Sequence, residues 1–319
     1  MDPFVDINPV VLSGAVLFIA VLLEKSVKWP DKSHPLTLIR LFAKSMADKA
    51  VKDQRSEQQQ KVAGIMAVLV LLLPIMIVTT TFLWFAEYTW FFNGFFLFIA
   101  LMFEPVTAQV KKVESLLKNN KKALARNQLQ RLVLRQVDNL SSMGIAKTAM
   151  ETLILRFHYQ YLCTLFWYLI FGGAGALLYR CCCELSQQWN IKQSRYRHFG
   201  RSVSWICLTL QWLPLRMGSM LFAITLGLGG SFSALKKLSG KVSAHTLVLS
   251  IFGGALHTEL GGPAFYENRK IRLPKCGGNN PPEPNDIKRL LTLMLQYQII
   301  LFATILVCYF GAYSFSVSF

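Results

Sequence analysis

The sequence is poor in charged residues, and in acidic residues above all. Asp, Glu, Lys and Arg together make up 16% of the 319 residues, while hydrophobic residues make up 53% and the mean hydropathy is +0.38. Soluble domains carry roughly 25% charged residues, so this composition excludes an ordinary soluble enzyme. The 17 acidic residues face 34 basic ones, which leaves a formal net charge of +17. The composition indicates a membrane protein with basic segments.

The chain also lacks the short motifs that mark metal and nucleotide sites. No two of its seven cysteines have the two-residue spacing of a zinc or redox site. The run Cys181 to Cys183 would point three ways on a helix, so it cannot close on one ion and predicts small buried packing. The glycines at 227–230 and at 253–254 follow no predicted strand, so we exclude them as phosphate loops. From these spacings we predict no metal site.

Long apolar runs are what the sequence does contain. A bilayer core takes about 20 apolar residues per helix. The candidate spans are Pro9–Leu23, Ala63–Phe85, Trp90–Phe103, Phe157–Tyr179, Val203–Gly229 and Met294–Phe315. We therefore predict an all-α, polytopic integral membrane protein with about four to six membrane helices and amphipathic cytoplasmic helices, forming a single domain over residues 1–319. The second and third spans should form a hairpin that turns at Glu87 to Thr89.

The excess of basic residues lies in the segments between these spans. Lys25 to Lys61 and Lys111 to Lys147 are both strongly basic, and the predicted hairpin returns the chain to one side. The positive-inside bias places both in the cytoplasm, which gives cytoplasmic segments at about 24–62, 104–152 and 230–292. We expect no nucleic-acid partner, because the basic residues flank apolar spans and form no recognisable binding fold. The expected partner of the apolar runs is the lipid bilayer, and the sequence leaves the oligomeric state open.

The segment Phe157–Tyr179 conflicts with a simple crossing of the membrane. A full crossing would place the basic loop from Arg180 to Arg201 outside, against the positive-inside bias. A re-entrant or tilted segment, broken at the glycines Gly172 to Gly175, would keep that loop in the cytoplasm. Irregular backbone at membrane depth survives where it is buried in protein or lines a wet cavity. We favour this re-entrant arrangement.

A set of matching pieces carries a resemblance to a known family. The pieces are His34-Pro35, Arg131, Val133, Arg135, Gly144-Ile145-Ala146, Glu151, Leu165-Phe166-Trp167, Gly172, Gly175-Ala176-Leu177, Tyr179, Arg195-Tyr196-Arg197, Phe199-Gly200, Pro214, Arg216, Leu260-Gly-Gly-Pro-Ala264, Tyr266, Asp286-Ile287 and Arg289. As a set they resemble the CbiB/CobD family, the membrane adenosylcobinamide-phosphate synthases of cobalamin biosynthesis. The resemblance covers the whole chain and implies a bacterial inner-membrane protein.

The resemblance implies an ATP-dependent amide ligase that joins adenosylcobyric acid to aminopropanol phosphate. Such chemistry needs carboxylates to hold Mg²⁺ and basic groups to hold phosphates. If the activity is retained, ATP and Mg²⁺ are the cofactors, and Glu151 and Glu184 are the catalytic candidates. The candidate substrate- and phosphate-binding residues are His34, Arg135, Arg195, Tyr196, Arg197 and Arg216. The implied ligand is an anionic small molecule, a corrinoid or a phosphate-bearing compound.

The chain departs from the family at the acidic positions of the motifs. The family's carboxylate-bearing segments fall here on Leu155-Arg156, Tyr159-Gln160, Cys183-Glu184-Leu185-Ser186, Cys207-Leu208 and Arg135-Gln136, and its Ser-Pro-Asn falls on Val242-Ser243-Ala244. This pattern of loss is similar to AmpE, a related inner-membrane protein linked to β-lactamase induction. Arg156-Phe157 and Trp212-Leu-Pro-Leu-Arg216 fit that relative as well.

Two functions therefore remain open from the sequence. The first is a cobalamin-pathway ligase with a rearranged site; the alternative is a non-catalytic, AmpE-like membrane sensor that kept the fold and its basic pocket. A plain anchor is disfavoured by Arg156, His158 and Arg216, because unpaired charge inside lipid costs several kcal/mol. Under either function, Arg135, Glu151, Arg195 and Arg216 should share one pocket.

Overall fold

The fold is built almost entirely of helices. A computed structural model describes residues 9–27, 29–30, 33–52, 55–238, 242–267 and 269–317. The helices are α1 (Pro9–Ser26), α2 (Pro35–Ala50), α3 (Glu57–Phe85), α4 (Thr89–Ala100), α5 (Glu104–Lys118), α6 (Lys122–Gln130), α7 (Ser142–Arg156), α8 (Cys163–Gln188), α9 (Arg201–Thr225), α10 (Gly230–Lys236), α11 (Ala244–Leu256) and α12 (Pro284–Val317). A π-helical turn, Phe157–Leu162, joins α7 to α8, and a 3-10 turn covers Ser194–Tyr196.

Five helical stretches among the described residues are long and apolar enough to cross a membrane. They are Glu57–Phe85, Thr89–Lys118, Ser142–Gln188, Arg201–Thr225 and Pro284–Tyr309. This confirms the predicted all-α, polytopic membrane fold with four to six such helices. The predicted first span forms α1, which packs against α4 and α12 and is not among the five.

The predicted hairpin between the second and third spans is present. Ser56 begins α3 with a capping box, because its hydroxyl accepts from the Gln59 amide while the Gln59 side chain accepts from the Ser56 amide. The helix ends at Phe85, and α4 starts at Thr89, whose hydroxyl donates to the Ala86 carbonyl at 2.9 Å. The turn thus lies where the sequence places it.

The stretch from α7 to α8 is a second helical hairpin. Gly172 has φ 67° and ψ −159°, so the helix breaks there. The Tyr179 hydroxyl donates to the Tyr159 carbonyl at 2.8 Å, whereas 20 residues of straight helix would separate these residues by about 30 Å. The chain therefore reverses at Gly172, and the ends of its two arms lie together.

Asn93 of α4 holds the tip of this α7–α8 hairpin. Its side-chain oxygen accepts from the Gly173 amide at 2.7 Å, and a Cβ added at Gly173 would lie 2.7 Å from the Asn93 carbonyl oxygen. A backbone conformation near φ 67° and ψ −159° is essentially restricted to glycine. The glycine pair thus serves both the reversal and the close approach of α4 to the hairpin.

Glu24 links α1 to the start of α5. Its buried carboxylate accepts from the Phe103 amide at 2.8 Å and from the Glu104 amide at 2.7 Å. These amides begin a helix and have no carbonyl partner within it. Glu24 therefore replaces a local N-cap and fixes α5 against α1.

The segment between α11 and α12 is rich in proline, glycine and asparagine, yet it contains short strands. Strand β1 (Glu259–Gly261) pairs antiparallel with β4 (Lys275–Gly277), and β2 (Ala264–Tyr266) pairs antiparallel with β3 (Arg269–Ile271). The strands are three residues each, so they carry no readable alternation of apolar and polar residues. Positive φ at Gly261 and Gly262 makes the bend between β1 and β2.

Candidate functional site

A small polar cavity lies between the two arms of the α7–α8 hairpin, α2 and α5. We call it the inner cavity; its volume is about 250 Å³. Its lining residues are Arg40, Met102, Pro105, Val106, Gln109, Arg131, Leu132, Arg156, Gln160, Arg180, Glu184, Gln187 and Gln188. The reversal at Gly172 is what brings Arg156 and Gln160 of one arm next to Arg180 and Glu184 of the other.

The inner cavity is strongly basic. Four arginines face one carboxylate, so the formal charge of the lining is +3. Glu184 is buried, and its two oxygens are both engaged: Oε2 accepts from Arg40 Nε at 2.7 Å, and Oε1 lies 2.6 Å from Arg180 Nη2. The carboxylate therefore compensates two arginines, and Arg131 and Arg156 keep their charge toward the cavity.

Several buried polar atoms of the inner cavity have no hydrogen-bond partner among the described residues. Arg180 is fully buried, and its Nε and Nη1 are unpartnered, as are Gln160 Oε1 and Gln109 Oε1. Buried donors and acceptors without partners are rare and costly in folded proteins. A ligand in the cavity could satisfy the Arg180 nitrogens with hydrogen-bond acceptors and the two glutamine oxygens with donors, and the basic lining favours negative charge on that ligand.

A larger opening, which we call the outer cleft, adjoins the inner cavity. It has a volume of about 750 Å³ and shares Arg131, Leu132, Arg156, Gln187 and Gln188 with the inner cavity. Its other lining residues are Lys44, Gln130, Val133, Leu134, Thr152, Leu155, Tyr159, Asn190, Lys192, Gln193, Arg195, Tyr196, Tyr266 and Glu267. A large ligand in the outer cleft could therefore extend a charged group into the inner cavity.

The π-helical turn positions the residues between the two spaces. Phe157–Leu162 interrupts the α-helical register directly after Arg156, and such turns are frequent at functional sites. Arg156 Nη2 donates to the Leu132 carbonyl at 2.7 Å, which holds the guanidinium at the boundary. Tyr159 faces the outer cleft and Gln160 faces the inner cavity.

The residues present do not fit a magnesium ion. No group of three or more His, Cys, Asp or Glu in the described ranges could hold a metal ion. Mg²⁺ prefers carboxylate and water oxygens, but the single carboxylate of the inner cavity already pairs with two arginines. The carboxylates that the resemblance implies after Glu151 fall on Leu155 and Tyr159, which carry no carboxylate and line the outer cleft. We therefore derive no step through Mg²⁺ or Mg²⁺-bound ATP.

Two of the predicted site residues, Arg135 and Glu151, form a partly buried pair outside both spaces. Arg135 Nη1 donates to Glu151 Oε2 at 2.9 Å, and Glu151 Oε1 accepts from the Gly261 amide at 2.7 Å. The pair joins α7 to the bend between β1 and β2. Its geometry is that of a clamp on this segment.

The remaining predicted residues lie at three places. Arg195 and Tyr196 line the outer cleft, and Arg195 also donates to exposed Asp48 at 2.7 Å, while Arg197 is exposed. Arg216 lies on α9 with its guanidinium 4.3 Å from the centre of the Trp212 ring. His34 is buried at the start of α2, where its Nδ1 accepts from the Leu36 amide at 3.2 Å.

The expected common pocket of Arg135, Glu151, Arg195 and Arg216 is not formed. The first two make the clamp, and the last lies on α9 among neither set of lining residues. Of the predicted site residues, Glu184 alone lines the inner cavity. Sequence analysis missed Arg40, Arg180 and the glutamines of this cavity. The available signal was that arginines and glutamines occur both before and after the paired glycines.

The Glu151 clamp leads to a stability prediction. Glu151→Ala leaves a partly buried guanidinium and the Gly261 amide without their partner, so we expect a loss of about 1–3 kcal/mol in the free energy of unfolding. Thermal unfolding of the detergent-solubilised protein measures it, and faster proteolysis within residues 262–274 should accompany it. Glu259→Ala is the matched control, because Glu259 pairs with Lys147 and Lys275 while 30% of its side chain is exposed. An equal loss in the control would contradict the clamp.

His245 should make stability depend on pH. Burial and, second, the nearby charge of Lys192 lower the pKa of His245 from 6.5 to about 4; its ring packs edge-on against Tyr159. The unfolded chain binds this proton at a higher pH than the folded chain, so stability falls as pH drops from about 6.5 towards 4. We expect His245→Gln to show a smaller fall in unfolding midpoint between pH 7 and pH 5 than the parent chain. An unchanged pH dependence would exclude His245 as the cause.

Comparison with known proteins identifies the relatives of this chain. The family model described as "CobD/Cbib protein" matches residues 17–294. "Cobalamin biosynthesis protein CobD" of Chromobacterium violaceum is 25% identical over 88% of this chain and 92% of its own length. The proteins of the same name from Stutzerimonas stutzeri and Leptospira interrogans are 24% and 26% identical, over 86% and 88% of this chain and 91% and 93% of their own lengths. No solved structure matches the chain.

These relatives decide between the two families that the sequence resembles. Each relative named above carries a cobalamin biosynthesis name, and the match covers most of both chains. The AmpE-like alternative is therefore not favoured. The family model spans the hairpin, the inner cavity and the clamp. The chain belongs to the CobD/CbiB family of cobalamin biosynthesis proteins.

Proposed function

We propose that the protein acts on a corrinoid-pathway intermediate at the bacterial inner membrane, with the basic segments in the cytoplasm. The inner cavity would bind a phosphate or carboxylate group of that intermediate. The observation that supports this most directly is the set of four arginines around one carboxylate, at the junction of two hairpin arms. Arginine donates paired hydrogen bonds that match phosphate and carboxylate geometry.

The two adjoining spaces would bind different parts of one substrate. The outer cleft has about three times the volume of the inner cavity and carries both basic and aromatic residues, among them Lys192 and Tyr266. A bulky corrinoid would lie in the outer cleft, and an anionic group would enter the inner cavity past Arg156. Arg131 and Arg156 would orient that group, because both line the two spaces.

The reaction that we propose is the amide ligation implied by the family. In it the amine of aminopropanol phosphate forms an amide bond with a carboxylate of adenosylcobyric acid, and the displaced carboxylate oxygen leaves on a phosphoryl group that ATP supplies as co-substrate. The residues shown here bind and orient charged groups and exclude water; the described cavity offers no carboxylate free to hold a metal ion. The alternative is a membrane protein that binds such an intermediate without ligating it. The complementation test below distinguishes this alternative from a ligase.

Complementation tests this proposal. A strain that lacks its own adenosylcobinamide-phosphate synthase, supplied with cobyric acid and carrying this gene, is expected to grow when growth requires cobalamin. Arg156→Gln should abolish that growth, because it removes the charge at the boundary between the two spaces.

The matched control for complementation is Arg55→Gln. Arg55 is exposed, donates to the Ala50 carbonyl at 2.8 Å and lines neither space. We expect this variant to support growth as well as the parent. Absence of growth with the parent gene, when the protein is present in the membrane, would contradict the ligase proposal.

A further inference from the structure

We infer that the inner cavity binds a phosphate or pyrophosphate group through arginines alone, with no divalent cation between ligand and protein. This inference rests on the proposed function for its ligand class and goes beyond it in excluding a bridging metal ion. The feature that carries it is the lining itself, which contains four arginines and one carboxylate that is already paired with two of them.

The positive charge that a metal ion would bring is already present. The lining carries a formal charge of +3, and a divalent cation would enter it against Coulomb repulsion that the low-dielectric surroundings strengthen. An anion would instead be attracted by the same positive charge. The charge of the cavity therefore favours the ligand and opposes the ion.

Glu184 is not available as a metal ligand. Its Oε2 accepts from Arg40 and its Oε1 pairs with fully buried Arg180. Coordination of a metal ion would leave Arg180 without its carboxylate partner. Breaking a buried ion pair costs several kcal/mol, so the pair outcompetes the ion.

Unpartnered donors indicate where the anion would bind. Arg180 Nε and Nη1 are buried without a hydrogen-bond partner among the described residues, and Arg180 lines the same cavity as Arg131 and Arg156. Charge-assisted hydrogen bonds from guanidinium to phosphate are roughly twice as strong as neutral ones. A phosphate oxygen at Arg180 would satisfy donors that the protein itself leaves unsatisfied.

The loss of nearby carboxylates fits the same conclusion. The carboxylates that the resemblance implies after Glu151 fall on Leu155 and Tyr159, which line the outer cleft, while the neighbouring Arg156 lines both spaces. A guanidinium at this place supplies fixed positive charge at any metal concentration, because arginine stays protonated. The segment thus lacks the implied carboxylates and carries fixed positive charge next to their positions.

The test is calorimetric titration of the full-length protein in detergent with inorganic pyrophosphate, at physiological ionic strength. We expect saturable binding in excess EDTA, and no tightening when EDTA is replaced by magnesium chloride. Arg156→Gln should weaken binding at least about tenfold, since it removes a charge-assisted contact. Arg55→Gln, which changes an exposed arginine outside the cavity, should leave the affinity unchanged.

Two results would overturn the inference. One is the absence of pyrophosphate binding in EDTA, or tightening by magnesium of more than about threefold, which would indicate a metal-bridged site. The other is binding that neither Arg156→Gln nor Arg131→Gln weakens, which would indicate association with the basic surface. Thermal unfolding verifies that each variant is folded. If Arg156→Gln does not fold, the pyrophosphate affinity of Arg131→Gln tests the inference instead.

These outcomes are separable from those of the proposed function. Growth of the complemented strain together with magnesium-dependent binding would overturn this inference and leave the proposed function standing. Metal-independent binding without growth would support this inference and contradict the proposed ligase function.

Discussion

Replacing Glu184 by alanine is expected to lower the free energy of unfolding by about 3–5 kcal/mol, as for other broken buried ion pairs. Arg180 is fully buried, and Glu184 is its ion-pair partner across one turn of α8. The substitution leaves a guanidinium in the protein interior without a counter-charge. The measurement is thermal or denaturant unfolding of the detergent-solubilised protein, followed by circular dichroism.

Two further variants distinguish this cause from a general loss of packing. Asp48→Ala removes the partner of Arg195, but both side chains are about half exposed, so about 0–1 kcal/mol is expected. Replacing both members of the buried pair, with Arg180→Met and Glu184→Leu, should recover most of the stability, because no buried charge is left unpaired in that pair. A double variant no more stable than Glu184→Ala would show that the ion pair is not the cause.

Gly172→Ala is expected to disrupt the α7–α8 hairpin and with it the inner cavity. The backbone at φ 67° and ψ −159° costs a residue with a Cβ about 1–3 kcal/mol. The added Cβ would also lie 2.8 Å from Asn93 Oδ1, the atom that accepts from Gly173. Unfolding should therefore become easier by roughly 3 kcal/mol in total, and pyrophosphate binding should be lost along with it.

The control for Gly172→Ala is the same substitution at Gly14. Gly14 lies inside α1 and has no neighbour within 4 Å of an added Cβ, so alanine there should stabilise the helix by about 0.5–1 kcal/mol. If Gly172→Ala left both unfolding and pyrophosphate binding unchanged, the reversal would not depend on the glycine backbone.

The sequence predicted the class of the protein from features that need no tertiary contact. Apolar runs of bilayer length predicted the membrane helices, and the polar break at Glu87 to Thr89 predicted the first hairpin. The paired glycines predicted a break in the fourth span, which the structure places at Gly172. These features are local, because span length and backbone freedom are properties of consecutive residues.

The candidate site was only partly predictable, because its residues come from distant parts of the chain. Arg40 and Glu184 are 144 positions apart, yet Arg40 Nε lies 2.7 Å from Glu184 Oε2. No spacing in the sequence predicts such a contact. Arg180 was assigned to a basic loop, yet it is fully buried beside Glu184. Conversely, Arg135 and Glu151 match the family motifs but form a clamp on Gly261.

What the sequence by itself determined is an all-α membrane protein with a surplus of basic residues, since hydropathy and charge are sums over its residues. Only the tertiary structure decided which basic residues act together. The reversal at Gly172 folds one arm of a hairpin onto the other and thereby joins Arg156 to Arg180 around Glu184. Electrostatic interactions depend on distance in space, and that distance is set by the turn of the backbone.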